Sequence, residues 1–308
     1  MGSSLAPRRV SCYRSKIVDS TRIVQIIHSE YGRRVALVNG VELHLLSDHR
    51  TAYQLASAAI ESGAPMRELV SEDLSGTVLD YDAVHGLRSG WSFLPSFDHP
   101  QDLARCIVSG CANAHTGTRE SRPAAPPWFY KGNGAHLRAH GEALTIPPFA
   151  LSGAEEAELV GVWIVAPNGA PMRVGITPGN EFADPALADS DARLLSHAKM
   201  RTCAIGPELV LDPEFADVGG LVRVERGGKR IWSRELATGE RYTQFTLAEV
   251  EEHLFKYVAH RVPGDAHIHY LGGSVSSYGD GIRLEQGDQV VIEWDSFGRP
   301  LRNVIERL

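Results

Sequence analysis

Three glutamates and a lysine carry the strongest chemical signal in the sequence. Glu156-Ala157-Glu158 runs directly into the apolar stretch LVGVWIV. In a strand, residues i and i+2 point to the same side, so the two carboxylates would converge beside a buried sheet. Two like charges that close repel each other and raise one pKa. A hard divalent cation relieves the conflict, because carboxylate oxygens suit Mg²⁺, Mn²⁺ or Ca²⁺. The alternative is a solvated turn, since Glu155 is adjacent and AEEAE reads as surface. Further on, VGITPGNEF (174–182) suggests a tight Gly179-Asn180 turn that delivers Glu181 as a third carboxylate. SHAKMRTCAIGPELVL (196–211) then places Lys199 ahead of a Gly206-Pro207 turn. Two later segments, VPGDAHIHYLGG (262–273) and LEQGDQVVIEW (284–294), each set a turn before a strand.

The elements that must hold these residues are mostly strands. From Ala154 onward the pattern is short β runs broken by Gly, Pro and Asn, with Gly227-Gly228 joining two alternating runs as a hairpin. One helix interrupts them: Thr246 as N-cap, Glu249 three residues on, then LAEVEEHLFKYVAHR. Its apolar positions are Leu247, Val250, Leu254, Tyr257 and Val258, at helical spacing. Residues 22–46 read as strands with Asn39-Gly40 as a hairpin turn, and residues 50–63 as an Ala-rich helix closed by Gly63. The segment from Gly117 to Pro127 is polar and Pro-rich, hence loop. Without βαβ alternation, Rossmann and TIM architectures are excluded, leaving a mostly β chain with α, of the α+β class. A small N-terminal α+β domain over 1–95 and a catalytic domain over 96–308 are expected.

Other residues are weighed and set aside. His267 and His269 share one strand face but lack a third ligand at zinc spacing, so they read as core or interface histidines. His253 and His260 read as packing on the helix face. Arg223, Arg226, Lys229 and Arg230 read as a solvated hairpin face. No GxSxG elbow and no phosphate-loop pattern occur.

Composition sets the outer limits. The 308 residues are 43% hydrophobic and 22% charged, with a net charge of −7, so the chain is globular and not built for nucleic acid. Cys12, Cys106, Cys111 and Cys203 form no CxxC, which points to reduced thiols. No signal peptide and no 18-residue apolar run is seen, so a cytoplasmic protein with no membrane partner is expected.

The ordered series of motifs resembles the fumarylacetoacetate hydrolase superfamily, over roughly Pro127 to Asn303. PPWFYKGNG (126–134), GNEFADP (179–185), SHAKMRTCAIGPEL (196–209), FGRPLRN (297–303), the HIHYLGG strand and RRVALVNG resemble its branch containing 2-keto-3-deoxy-pentonate (arabonate) dehydratases. The resemblance implies a distorted β-roll core and a homodimer. It implies that Glu156, Glu158 and Glu181 hold Mg²⁺ or Mn²⁺, with Lys199 beside the ion. Such a metal chelates a 2-oxo acid and favours enolisation. Lys199 would then stabilise the keto oxygen or, with a lowered pKa, move a proton.

Lys131, Gly272, Gly273 and Ser274 are the expected substrate contacts. Lys199, His115 and Glu120 are the candidate bases. The chain departs from the branch in a shortened segment after Ser109-Gly110, in Thr118 where hydrolytic relatives carry a glutamate, and in Gly273 where a threonine is common. The expected reaction is dehydration of a 2-keto-3-deoxy sugar acid. C–C hydrolysis, decarboxylation or tautomerisation of an acylpyruvate-type diketo acid is the alternative, and a non-catalytic descendant of the fold the third.

Overall fold

The computed structural model describes residues 20–112, 115 and 119–308. Cys12, Gly117 and Thr118 therefore lie outside the described residues. A 13-stranded sheet runs from Leu74–Asp80 at one edge through Glu42–Leu46, Gly32–Asn39, Arg22–His28, Glu208–Val210, Pro171–Asn180, Ala157–Val165, Ala266–Tyr270 and Cys106–Cys111 to Trp128–Asn133 at the other. A five-stranded sheet packs against it, in the order Lys229–Thr238, Val218–Arg226, Gln289–Trp294, Leu301–Arg307 and Ala143–Ile146.

The central strand Ala157–Val165 explains its own composition. All nine residues are buried, because both faces are covered. Leu159, Trp163 and Val165 join Val222, Val290 and Ile305 of the second sheet in one cluster. Val160, Val162 and Ile164 face the other way, into a cluster with Leu55 and Ala56 of helix Ala52–Ser62. A strand buried on both faces loses polar alternation and reads as a continuous apolar run. Gly161 is small for a reason: a Cβ there would lie 2.2 Å from the Trp163 ring.

Local chemistry follows the sequence closely in the helices. Thr51 Oγ1 caps Ala52–Ser62 by accepting from Gln54 N at 3.0 Å, and Gly63 closes it at φ 72°. Helix Leu247–Phe255 carries the expected capping box between Thr246 and Glu249. It ends earlier than its apolar spacing suggests, and Tyr257 and Val258 are exposed, at 49% and 75%. The reason is His260, whose Nδ1 pairs at 2.7 Å with the Leu254 carbonyl at the helix end while the chain turns away. His260 accordingly sits on the short turn Val258–His260 rather than on the helix.

Both expected hairpins form, at Asn39-Gly40 and at Gly227-Gly228. The second is less solvated than expected: Arg226 pairs with buried Asp288 at 2.8 Å, and Arg223 with Glu225 at 2.9 Å. The N-terminal strands continue the large sheet, since Arg22–His28 pairs antiparallel with Glu208–Val210. No helix among the described residues is long and apolar enough to cross a membrane.

Candidate metal centre

The three carboxylates meet through strand register. Glu156 stands one residue before strand Ala157–Val165, and Glu158 is its second residue. The partner strand Pro171–Asn180 pairs Ala157 with Asn180 and Glu158 with Gly179. The pairing continues past the strand ends, where Glu181 N donates to Glu156 O at 2.9 Å. Glu156 and Glu181 are thus opposite one another. Glu158 lies two residues along on the same face, opposite Gly179, where a Cβ would lie 2.4 Å from Val160 and 2.8 Å from the Tyr270 ring. Ligand oxygens of Glu156, Glu158 and Glu181 all lie within 4.8 Å of one another.

Two local expectations change. Gly179-Asn180 is not a tight turn but extended strand, and the pairing with Ala157 and Glu158 is what holds it extended. The turn between the two strands lies at Gly169, with φ 80°. AEEAE is not a solvated surface either: Glu155 is fully buried, accepting from Ser277 N at 2.6 Å and Ser277 Oγ at 2.8 Å. Burial pushes its carboxyl up to about 7 against those two hydrogen bonds.

Lysines surround the cluster. Lys199, at the end of helix Leu195–Lys199, donates to Glu156 Oε1 at 2.6 Å and also bonds Glu181 Oε2. Burial alone would lower its pKa, but the charges of Glu156, Glu181 and Glu158 outweigh burial and raise it. The three carboxylates thus hold Lys199 as an ammonium. Lys131 is fully buried on strand Trp128–Asn133, and its ammonium bonds Glu181 Oε1, Phe182 O at 2.6 Å and Lys199 O at 2.8 Å. An ammonium with three protons has none left for a ligand. Lys131 is a buried positioning group behind Glu181, not the substrate contact expected from sequence.

Glu158 is held differently. Its Oε2 accepts from Gly272 N at 2.7 Å, and Gly272 adopts φ 98°, a conformation suited to glycine. Burial first, then the charges of Glu181 and Glu156, raise its pKa well above the usual carboxylate range. Glu181 is raised for the same first reason, with Lys131 and Lys199 opposing. If all three were ionised, three carboxylates against two ammonium groups would leave one negative charge uncompensated in a low-dielectric pocket. Burial and that excess charge push Glu158 toward its neutral form. An all-oxygen donor set of that charge fits a hard divalent cation.

A cavity of about 220 Å³ opens onto Glu156, Glu158 and Lys199, with Gly273, Cys111 and Asp189 on its walls. Gly273 is therefore at the site. Ser274 is exposed and outside the cavity lining, as is Glu120 on the turn Arg119–Ser121. Half-buried His115 stands within 3.0 Å of the Gly272 carbonyl and 3.3 Å of Thr238 Oγ1 through Nε2. Burial lowers its pKa, so it is a neutral donor to the peptide that holds Glu158. His267 and His269 are buried in the core, as expected. His269 lies between Ser109 Oγ at 2.8 Å and Cys111 Sγ at 3.3 Å.

Sequence reasoning missed Glu155, Cys111 and Asp184. Asp184 is buried and bonds Leu151 N at 3.0 Å, Ser152 N at 2.9 Å and Arg201 at 3.1 Å, fixing the segment that follows Glu181. Its position just before Pro185 was the available signal for a helix cap.

No protein-family model matches the sequence, and no curated protein does. Solved structures do. A 2-keto-3-deoxy-D-arabinonate dehydratase in its apo form superposes with a TM-score of 0.72 at 16% identity, covering 93% of this chain and 99% of that one. The same dehydratase complexed with magnesium and 2,5-dioxopentanoate gives 0.71 at 16%, with the same coverage. The fold is fumarylacetoacetate-hydrolase-like. A 5-carboxymethyl-2-hydroxymuconate delta-isomerase from Mycobacterium smegmatis shares this fold at a TM-score of 0.63 and 16% identity, over 93% of this chain and 100% of that one. Within the fumarylacetoacetate-hydrolase-like fold, Glu156, Glu158 and Glu181 are the one acidic cluster among the described residues able to hold a metal.

Proposed function

We propose that this chain is a divalent-metal-dependent enzyme acting on a 2-oxo acid, and specifically a dehydratase of a 2-keto-3-deoxy sugar acid. The observation that carries the reading is the cross-strand set of three carboxylates, with Lys199 at its rim, opening on a small cavity. Glu156, Glu158 and Glu181 would hold Mg²⁺ or Mn²⁺, which when bound supplies positive charge to the carboxylate and keto oxygens of the substrate.

The chain's own residues do the rest. The Gly272 amide and the neutral His115 behind it keep Glu158 in place. Lys131 keeps Glu181 in place from the rear. Lys199 presents a fixed cation where negative charge develops at the keto oxygen once the C3 proton is removed. A base takes the C3 proton, and the resulting enolate electrons form the C3–C4 double bond as the keto group is restored. The C4–O bond breaks, with the hydroxyl taking up that proton to leave as water. Elimination needs no activated water, in keeping with Thr118 where hydrolytic relatives carry a glutamate.

C–C cleavage, decarboxylation or tautomerisation of an acylpyruvate-type diketo acid is the second reading, favoured by the isomerase that shares the fold. The complete set Glu156, Glu158, Glu181 and Lys199 speaks against a non-catalytic descendant. A cytoplasmic homodimer is part of the proposal, checked by light scattering.

The deciding experiment incubates the protein and Mg²⁺ with a panel of 2-keto-3-deoxy acids and acylpyruvates and follows products by mass. Loss of one water supports dehydration, and two carbon fragments support hydrolysis. No turnover on any member discards both.

A further inference from the structure

We propose a second ligand site on the N-terminal strands, for a small anion that carries a flat ring, with the chemistry of a nucleoside monophosphate. Register places its residues together. Arg34 pairs with Ile26 and Trp91 with His28, while Leu45 faces Ala36 and Leu79 faces Leu43. Arg34, Leu45, Leu79 and Trp91 therefore share one face of the sheet. That face is an apolar cluster over most of its area, and where the cluster ends a cavity of about 450 Å³ opens. Its size is that of an ordinary small-ligand pocket, about 300–1,000 Å³.

Two arginines, Arg34 and Arg50, line this cavity together. Arg34 donates to the Arg33 carbonyl at 2.7 Å, and among the described residues neither guanidinium forms an ion pair with a carboxylate. Burial and then the charge of Arg50 lower the pKa of Arg34, so the two cations repel each other across the cavity. An anion between them removes the repulsion, and guanidinium groups match phosphate in a bidentate manner.

The neighbouring wall is aromatic. Tyr31 is 57% exposed, and its ring lies 6.2 Å from that of Trp91 at only 20° between planes. His28 packs on both, at 4.8 and 5.0 Å. A propped, exposed aromatic face beside paired arginines accepts a planar ring by stacking. Ser75 and Thr77, on the exposed edge strand Leu74–Asp80, offer hydroxyls at the same cavity. None of these residues belongs to the glutamate cavity, so the proposal stands apart from the reaction assigned above.

The test is isothermal titration of the full chain with AMP, adenosine and inorganic phosphate, in EDTA so that no divalent ion can hold a phosphate at the glutamates. AMP is expected to bind saturably with one site per chain, at least tenfold tighter than either fragment. The double variant Arg34→Gln/Arg50→Gln is expected to weaken AMP at least tenfold, and Tyr31→Ala to weaken AMP but not phosphate. Thermal melts of each variant without ligand verify folding, and Glu158→Gln is expected to leave AMP binding unchanged. Absence of saturable AMP binding overturns the proposal. So does binding that survives loss of both arginines, or phosphate binding as tightly as AMP.

Discussion

The ammonium of Lys199 lies 2.6 Å from Glu156 Oε1 and, through its bond to Glu181, ties together two carboxylates that face each other across the strand pair. A cation so placed can neutralise the cluster and still meet an oxygen entering the cavity. Lys199→Met is therefore expected to lower kcat by about 10²–10³, the usual effect of removing a donor aimed at developing charge. Magnesium binding should persist or tighten, because the competing ammonium is gone. Steady-state kinetics on the substrate identified by the panel, with a magnesium titration, checks both. An unchanged kcat would remove Lys199 from the chemistry.

Magnesium should stabilise the protein through the three glutamates. A ligand that binds only the folded state at 100 times its Kd adds about 2.7 kcal/mol. The expected result is a rise in Tm on adding Mg²⁺ that EDTA reverses and that Glu158→Gln abolishes. Glu158 is the informative position, since among the described residues Gly272 N is its one hydrogen-bond donor and no lysine bonds it directly. Equal magnesium responses in wild type and variant would discard the site.

How much of this was visible beforehand depends on whether the cause was local. The capping box at Thr246, the Gly63 cap and both Gly-containing hairpins are local, and each formed where the sequence put it. Glu156, Glu158 and Glu181 could be named from spacing and motif order, but the reason they meet could not. It is the pairing of Glu158 with Gly179, a contact between strands. Glu155 was unreadable for the same reason, because its partner Ser277 is 122 residues away. Lys131 was misread because a lysine near a substrate motif suggests a contact, whereas its acceptors come from residues 181, 182 and 199.

Lys131 is expected to matter for folding more than for substrate affinity. Removing one partner of a buried ion pair leaves the other charge uncompensated, at a cost of about 3–5 kcal/mol. Lys131→Met should lower the urea midpoint accordingly, with magnesium recovering part of the loss by neutralising Glu181. KM should change little in whatever folded protein remains. A variant with wild-type stability and a raised KM would return Lys131 to the role of substrate contact.

The protein should also lose stability in mild acid through three buried histidines outside the cluster. Burial holds His140, His267 and His269 neutral, each with its pKa pushed down to about 3. Unfolded histidine titrates near 6.5, so between about pH 6.5 and 3 the unfolded chain binds protons that the folded one does not. Their neutral burial therefore costs nothing above that window, and stability falls as pH drops through it. The slope approaches about 1.4 kcal/mol per pH unit for each histidine.

His267 is the position to test, because neither ring nitrogen has a hydrogen-bond partner among the described residues and the ring packs 5.0 Å from Phe255. His267→Phe should flatten the pH dependence of the urea midpoint between pH 7 and 5 while raising stability at pH 5. An unaltered slope would show that His267 does not titrate with unfolding.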